Sequence, residues 1–211
     1  MFGHRFDSGR LHCAVPCLPA GRDSGCLHFQ FRYRGEGLRS SLHCLKIMQN
    51  KKIIFEKVAE MLRQSNFSIA SKDDTRPWGG FYVIDEAQAT EFAQRYFSEE
   101  NFDELKITEK LSPKILIVGP HQRLSWQYHH RRAEIWKCID GPVMVKTSDT
   151  DEEQKQLILN DGDIIKLRQG ERHRLIGLDG WGIVAEIWQH TDISNPSDED
   201  DIVRIQDDFG R

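Results

Sequence analysis

Residues 133–167 read AEIWKCIDGPVMVKTSDTDEEQKQLILNDGDIIKL and alternate short apolar runs with turn-forming segments. The runs AEIWKCI, PVMVKTS, QLILN and DIIKL each have the length and the apolar, β-branched or aromatic content of a strand. The segments between them, DG, DTDEE and DGD, carry the aspartate and glycine residues that favour tight turns. This stretch therefore predicts a series of short strands joined by turns.

The same pattern extends outward in both directions. KILIVG and RLSWQYH come before this stretch, and HRLIGL and GIVAEIW follow it, which makes eight strand-like runs. Many short strands separated by turns predict an all-β sandwich or barrel. Upstream, the apolar spacing of residues 53–62 and 86–97 predicts two helices, with the strand-like RPWGGFYVI (76–84) between them. The sequence thus predicts a mainly β fold with an N-terminal helical arm.

The overall composition limits the kinds of binding partner that we expect. The 211 residues suffice for one domain, or for one domain with an appendage. The net charge of −4 and the pI near 6.1 do not suggest the basic surface that attracts nucleic acid or an anionic membrane, so we expect neither as a partner. No run approaches the roughly 18 apolar residues of a membrane-spanning helix. These features favour a soluble protein with a small soluble partner.

Residues 1–47 differ from the rest of the chain, because they hold four of its five cysteines without zinc-finger spacing or a continuous apolar signal. We expect them to be an unstructured extension that arises from a mis-set start codon, with Met48 as the true start. Residues 48–110 then form the helical arm and first strand, and residues 111–211 form the barrel and a tail. The remaining cysteine, Cys138, gives no sign of disulfides, which favours the cytoplasm.

The stretch SWQYHHRRAEIW (125–136) concentrates polar side chains inside the strand-like region. Side chains alternate between the two faces of a strand. On a regular strand, one face therefore carries Ser125, Gln127, His129 and Arg131. The opposite face, with Leu124, Trp126 and Tyr128, is the better candidate for the core. The polar face either meets water or lines a cavity, and the stretch alone leaves both open.

A second histidine lies in a similar setting in DGDIIKLRQGERHRLIG (161–177), and the two segments together resemble the cupin family. The first cupin motif, G-x5-H-x-H-x3,4-E-x6-G, is matched by His129, Glu134 and Gly141. The second motif, G-x5-P-x-G-x2-H-x3-N, is matched by Gly162, Gly170 and His173. The sequence departs from the motifs at Arg131, Arg168 and Gly177. The resemblance implies a cupin-type double-stranded β-helix (jelly-roll) barrel.

Within the cupins, four segments resemble the type II mannose-6-phosphate isomerase domain, which also forms the C-terminal part of bifunctional mannose-1-phosphate guanylyltransferase/mannose-6-phosphate isomerases. They are RPWGGFYVI, LSWQYHHRRAEIW, GERHRL and the tail SDEDDIVRIQDDFGR. The resemblance runs from Arg76 to Arg211 and implies a metal-dependent aldose–ketose isomerase that acts on mannose 6-phosphate or a related sugar phosphate through an enediol. No segment resembles the nucleotidyltransferase half.

The resemblance also implies a metal site, with His129, Glu134 and His173 as ligands. The second histidine of the first motif has no counterpart, because Arg131 holds its position. Gln127 shares the face of His129 and can supply a fourth ligand through its amide oxygen, as in the zinc-dependent type of mannose-6-phosphate isomerase. We expect a divalent metal, with zinc foremost and manganese, iron or cobalt as alternatives. In the opposing hypothesis, Arg131 has taken the place of the metal.

Arginine suits the phosphate of such a substrate, because its planar guanidinium donates two parallel hydrogen bonds. Arg132 matches the family arginine that follows the metal motif, and Arg211 matches the closing Gly-Arg. We expect Arg131, Arg132, Arg211 and Ser125 to bind substrate, and Arg132 and Glu134 to be catalytic. Glu134 can act as a ligand or as the general base, but not readily as both, and the sequence singles out no other base.

Two other functions stay open at this point. A cupin can bind a sugar or sugar phosphate without catalysis, and two histidines with one carboxylate can hold Fe(II) for dioxygenase chemistry. The preferred hypothesis remains a cytoplasmic isomerase with a sugar phosphate as its partner, and pairing of cupin barrels makes a homodimer a further expectation.

Overall fold

The structure is a computed structural model that describes residues 35–101, 105 and 107–210. Its helices are α1 (Gly35–Gln64) and α2 (Ala89–Tyr96), with short 3-10 turns at Glu86–Gln88 and Glu199–Asp201. Its strands are β1 (Ile69–Asp73), β2 (Gly79–Ile84), β3 (Lys114–Val118), β4 (Trp126–His129), β5 (Arg132–Asp140), β6 (Val143–Ser148), β7 (Lys155–Leu159), β8 (Ile164–Leu167), β9 (Arg172–Gly177), β10 (Gly182–His190) and β11 (Ile202–Gln206).

The strands form two sheets with antiparallel pairing. The first has the order β1-β2-β3-β10-β5-β8, and the second has the order β11-β4-β9-β6-β7. The eight strand-like runs correspond to β3 through β10, so the predicted mainly β fold, a jelly-roll barrel of two sheets, is confirmed. The tail adds β11, which the sequence pattern did not predict, and this strand pairs with β4.

The outer face of the first sheet is covered by the two helices. Phe55, Val58 and Leu62 of α1 and Phe92 and Tyr96 of α2 are buried in one cluster with apolar residues of β3, β5 and β10. This confirms the predicted helical arm. The helix α1 begins at Gly35, so the predicted boundary after residue 47 falls within a helix. Residues 1–34 lie outside the described residues, and the division into an extension and an arm stays a prediction.

Successive side chains of each central strand point alternately into two separate hydrophobic cores, one on each face of the first sheet. On β10, Ile183, Ala185 and Ile187 face the helices, whereas Val184 faces the second sheet. Polar side chains then occupy the inward positions towards one end of the barrel, where Glu186 continues the register of Val184. One end of the interior is therefore apolar and the other is polar. Neither of the described helices is long and apolar enough to span a membrane.

Both glycines of the second motif match a backbone requirement. Gly162 has a φ of +92° and Gly170 has a φ of +76°, a left-handed conformation that side chains with a Cβ rarely adopt. They occupy the turns before β8 and before β9. The second turn leads directly into β9, which carries His173.

Candidate functional site

Three potential metal ligands meet at the polar end of the barrel. His129 ends β4, Glu134 lies on β5 and His173 lies on β9, and the nearest ligand atoms of the three lie within 4.8 Å of one another. His129 Nε2 is 3.1 Å from Glu134 Oε1, and His173 Nε2 is 3.2 Å from Glu134 Oε2. The side chains are at most 2% exposed. The structure therefore brings together three of the four predicted ligands as a buried group.

Each imidazole is oriented through its other nitrogen. Nδ1 of His129 lies 3.3 Å from the carbonyl oxygen of Asp201, and Nδ1 of His173 lies 2.9 Å from that of Glu171. A carbonyl only accepts hydrogen bonds, so a neutral ring must carry its proton on Nδ1. The lone pair of each ring is then on Nε2, which lies near an oxygen of Glu134 and, in His129, also near Nη2 of Arg132. This is the tautomer that a metal ligand needs.

The charge states also suit a cation. Burial lowers the pKa of His129, although the Glu134 carboxylate opposes that shift. Burial on its own would raise the pKa of Glu134, but the charges of protonated His129 and of Arg132 outweigh it and hold that pKa well below its usual range. Since burial lowers the pKa of His129, we expect its imidazole to be neutral, and the permanent charge of Arg132 then keeps Glu134 ionised without a protonated histidine.

Two buried atoms of this group lack a hydrogen-bond partner among the described residues: Oε2 of Glu134 and Nε2 of His173. They face each other at 3.2 Å, but their geometry is not that of a hydrogen bond, so proximity alone does not satisfy them. Buried polar atoms are rarely left without a partner. A divalent cation would satisfy both, because a carboxylate and a neutral imidazole are ordinary ligands of zinc, manganese and iron. The residues present therefore fit a metal.

Arg132 lies inside the same group. Its Nε donates to Glu134 Oε1 at 2.8 Å, and its Nη2 lies 3.2 Å from His129 Nε2. Its Nη1 donates to Ser197 Oγ at 2.8 Å and to the carbonyl oxygen of Asp198 at 2.9 Å. The guanidinium also lies over the ring of Trp188, 3.5 Å from its centroid, which is a cation–π contact. The predicted substrate-binding and catalytic arginine is thus a buried part of the site.

The prediction that Arg131 shares the face of His129 is wrong, because β4 ends at His129 and a bend separates it from β5. Arg131 turns to the loop before β11, where Nη1 donates to Asn195 Oδ1 at 2.7 Å and Nη2 donates to Asp198 Oδ1 at 2.9 Å. Arg131 therefore does not take the place of a metal. The guanidinium next to the ligands belongs to the following residue, Arg132.

The remaining predicted site residues divide between the cavity and the tail. Gln127 pairs with His173 across β4 and β9, and its Oε1 accepts a hydrogen bond from Ser125 Oγ at 2.6 Å. Both side chains line the cavity in front of Glu134, and the amide oxygen keeps a second lone pair for a cation. Arg211 lies outside the described residues, so its role stays a prediction.

The cavity has a volume of about 70 Å³, and Lys114 and Glu186 are among the ionisable residues of its lining that were not predicted. Lys114, at the start of β3, is ion-paired with Glu199 at 2.5 Å, and its Nζ lies 3.7 Å from the centroid of the Trp188 ring. Glu186, on β10, accepts a hydrogen bond from Trp136 Nε1 at 2.9 Å. The signal for Glu186 was its acidic side chain at an inward position of the apolar run GIVAEIW.

The C-terminal tail holds the end of β4, which carries His129, in place through Asp201. Its carboxylate accepts from the backbone N–H groups of His130 and Arg131 at 3.1 and 2.9 Å, and from Ser197 Oγ at 2.7 Å. Burial alone would raise the pKa of Asp201, but these hydrogen bonds lower it below the usual value. The side chain is only 3% exposed, so these bonds are shielded from water.

We expect Asp201→Ala to destabilise the protein by about 2–4 kcal/mol, because two buried backbone N–H groups lose a charged acceptor. Urea unfolding at neutral pH measures the change. Asp200→Ala is the control, since that exposed neighbour lies in the same short helical turn. Equal stability of the two variants would show that the tail does not anchor the end of β4.

A family model described as mannose-6-phosphate isomerase C-terminal matches residues 88–207 of the chain. Among curated proteins, the xanthan biosynthesis protein XanB of Xanthomonas campestris pv. campestris strain B100 is 29% identical over 111 residues, which cover 52% of this chain and 22% of that protein. The XanB protein of a second strain, ATCC 33913, is 28% identical over 111 residues. The chain thus aligns with about a fifth of the length of these relatives.

Similar solved structures include the capsular polysaccharide assembling protein CapF from Staphylococcus aureus. It has a TM-score of 0.45 and 11% identity, and the alignment covers 64% of this chain and 31% of that chain. A recombinant oxalate oxidase in complex with glycolate has a TM-score of 0.43 and 14% identity, with 63% of this chain and 58% of that chain covered.

Proposed function

The chain belongs to the mannose-6-phosphate isomerase C-terminal family, and from that membership we propose that it is a metal-dependent isomerase that interconverts mannose 6-phosphate and fructose 6-phosphate. The observation that carries the proposal is the buried group of His129, Glu134 and His173 with Arg132 against it. This group combines the ligands for a divalent cation with a cation for an anionic substrate. A related sugar phosphate would use the same features.

The reaction moves a proton between C1 and C2 of the open-chain sugar and develops negative charge on the substrate oxygens. A divalent cation, when bound, supplies Lewis-acid polarisation of those oxygens. Gln127, His129, Glu134 and His173 would hold it. The burial of His129, Glu134 and His173 shields the site from water, which strengthens each electrostatic contact.

The protein's own cations provide the complementary charge for the substrate. Arg132 and Lys114 both make cation–π contacts with the Trp188 ring, 3.5 Å and 3.7 Å from its centroid, so one aromatic side chain holds both positive groups at the cavity. Arg132 is fixed by four contacts to side-chain and backbone groups, so little further ordering is needed when substrate binds. We assign binding of the substrate's anionic part to Arg132, with Lys114 assisting it.

We expect the purified chain loaded with zinc, manganese, iron or cobalt to interconvert the two sugar phosphates, and His173→Ala to lose at least about tenfold of that activity together with metal. His121→Ala is the matched control, because His121 is 74% exposed and pairs only with the exposed Asp179 in the described part of the chain. A coupled assay and metal analysis measure both quantities. Loss of less than tenfold in His173→Ala would contradict the proposal.

A second candidate function is binding of a sugar phosphate without a metal. The contact between Arg132 Nη2 and His129 Nε2 favours it, because the guanidinium occupies the lone pair that a metal would use. The two candidates differ in metal content. A protein that contains no metal, that cannot be loaded with one, and that still binds mannose 6-phosphate in calorimetry would support the second candidate over the first.

The proposed reaction needs only a soluble sugar phosphate as its partner. A cytoplasmic location, a homodimer, and the lack of nucleic-acid or membrane partners remain part of the proposal.

A further inference from the structure

A second buried carboxylate, Glu186, lies on the inner surface of the same cavity. It occupies the middle of β10, which lies between β3 and β5 in the first sheet. The residue is 5% exposed and lies opposite Trp136 in the pairing of β10 with β5, two pairs away from Trp188 and Glu134. Its side chain therefore faces the same interior space as Glu134, from the neighbouring strand.

The two carboxylates differ in what they contact. Glu134 accepts a hydrogen bond from Arg132 at Oε1 and lies beside both imidazoles, so the positive charge of Arg132 keeps it ionised. Glu186 receives a hydrogen bond from a neutral donor, Trp136 Nε1. The cations nearest to it are paired elsewhere, since Lys114 bonds Glu199 and Arg132 bonds Glu134. Glu186 is thus the carboxylate that can accept and release a proton.

The surroundings of Glu186 raise its pKa towards neutral pH. Burial, followed by the charge of Glu134, raises the pKa of Glu186 to about 7, against the opposing charges of Lys114 and Arg132. The charged side chains of the cavity walls are Arg76, Lys114, Arg132, Glu134, Glu199 and Arg204. A general base works best when its pKa lies near the working pH, and an ordinary exposed glutamate would be a much weaker base.

We propose that Glu186 is the catalytic base that carries the proton between C2 and C1 of the sugar phosphate. This inference rests on the proposed isomerase function. Glu186 takes the proton from C2, the C2–H electron pair forms the C1–C2 double bond, and the carbonyl electron pair moves onto O1 to give the enediolate. The carboxylic acid then returns the proton to C1, while the proton on O2 passes to O1 as the C2 carbonyl forms. The reaction is balanced without an oxidant or a reductant.

This assignment divides between two glutamates the roles of metal ligand and general base, which Glu134 could not readily perform at once. Glu134 holds the cation and positions Arg132, and Glu186 moves the proton. Trp136 is a positioning residue, because its indole N–H holds one oxygen of Glu186 in place.

Glu186→Gln tests the assignment, because it keeps the size of the side chain and removes the base. We expect kcat for mannose 6-phosphate to fall about 10²–10⁴-fold, with KM and metal content changed little. Exchange of the C2 proton with solvent, followed by NMR in D₂O, is expected to fall by the same factor. Glu60→Gln is the matched control, since Glu60 is exposed on α1 and pairs with Arg63, and we expect wild-type rates from it.

A second measurement needs no substrate. A raised folded-state pKa gives stability that is present below the unfolded pKa near 4.5 and is lost as pH rises through about 7. We expect the melting temperature of the wild-type protein to fall over this range, and the Glu186→Gln variant to lose that part of the slope. A cooperative melting transition in the same measurement shows that the variant is folded.

The outcomes separate the two proposals. An inactive parent protein would overturn both the isomerase function and the role of Glu186. An active parent with a folded Glu186→Gln variant that keeps kcat within about threefold would overturn only the base assignment. If that variant does not fold, Glu186→Asp decides: partial activity with a shifted acid limb of the pH profile supports the assignment, and an unchanged rate and profile overturns it.

Discussion

Replacing Glu134 with glutamine is expected to destabilise the protein by about 3–5 kcal/mol and to remove metal binding. The loss of stability follows because the Arg132 side chain is 1% exposed and would remain buried without its counter-charge. The loss of metal follows because the carboxylate lies between both imidazoles. Chemical unfolding and metal titration at pH 7.5 measure the two effects.

A double variant tests the cause of this destabilisation. In Glu134→Gln with Arg132→Met, no unpaired charge remains, so we expect it to be more stable than the single Glu134→Gln variant. The wild-type protein should also lose this stability progressively as the pH falls from the unfolded pKa of a glutamate, about 4.3, towards the depressed folded pKa of Glu134. A double variant no more stable than the single variant would show that charge burial is not the reason.

Replacing Arg132 with methionine is expected to reduce kcat/KM for mannose 6-phosphate by about 10²–10³-fold, the usual loss when one donor to a developing negative charge is removed. Metal affinity should stay the same or rise, because Nε2 of His129 no longer faces a competing guanidinium. Steady-state kinetics and metal titration on the same preparation distinguish these effects. This variant therefore separates substrate binding from metal binding, which Glu134→Gln cannot do.

Arg168→Met is the control for Arg132, because Arg168 lies in the second motif but is 67% exposed in its pairs with Asp149 and Glu171. We expect activity within about twofold of the wild-type value. If Arg132→Met lost metal as well as activity, Arg132 would support the ligands instead of binding substrate.

The barrel was predictable because its strands carry a local signal. Buried strands need apolar side chains at every second position, and the turns between them need aspartate and glycine. The same local rule placed His129 and Glu134 correctly, since each lies inside a regular strand. His173 followed from the turn glycines that precede it.

The rule failed at Arg131 because the alternation is interrupted there. Residues 130 and 131 form a bend, and the new strand starts its own alternation at Arg132, which therefore shares a face with Glu134. A sequence does not show where one strand ends when both flanking segments are polar. The tail strand β11 was not predicted for a related reason, since it is largely exposed and depends on long-range pairing with β4. Glu186 was missed because a single acid in an apolar run resembles a surface position.

The anchoring of the site by the tail has a consequence for the order of events during synthesis. All the described ligands have left the ribosome once His173 has emerged, but their anchors at Ser197, Asp198 and Asp201 come more than twenty residues later. A nascent chain thus carries every ligand before it can orient His129 or hold Arg132. The proposed cation site is therefore fully oriented only when β11, the last described strand, joins the sheet.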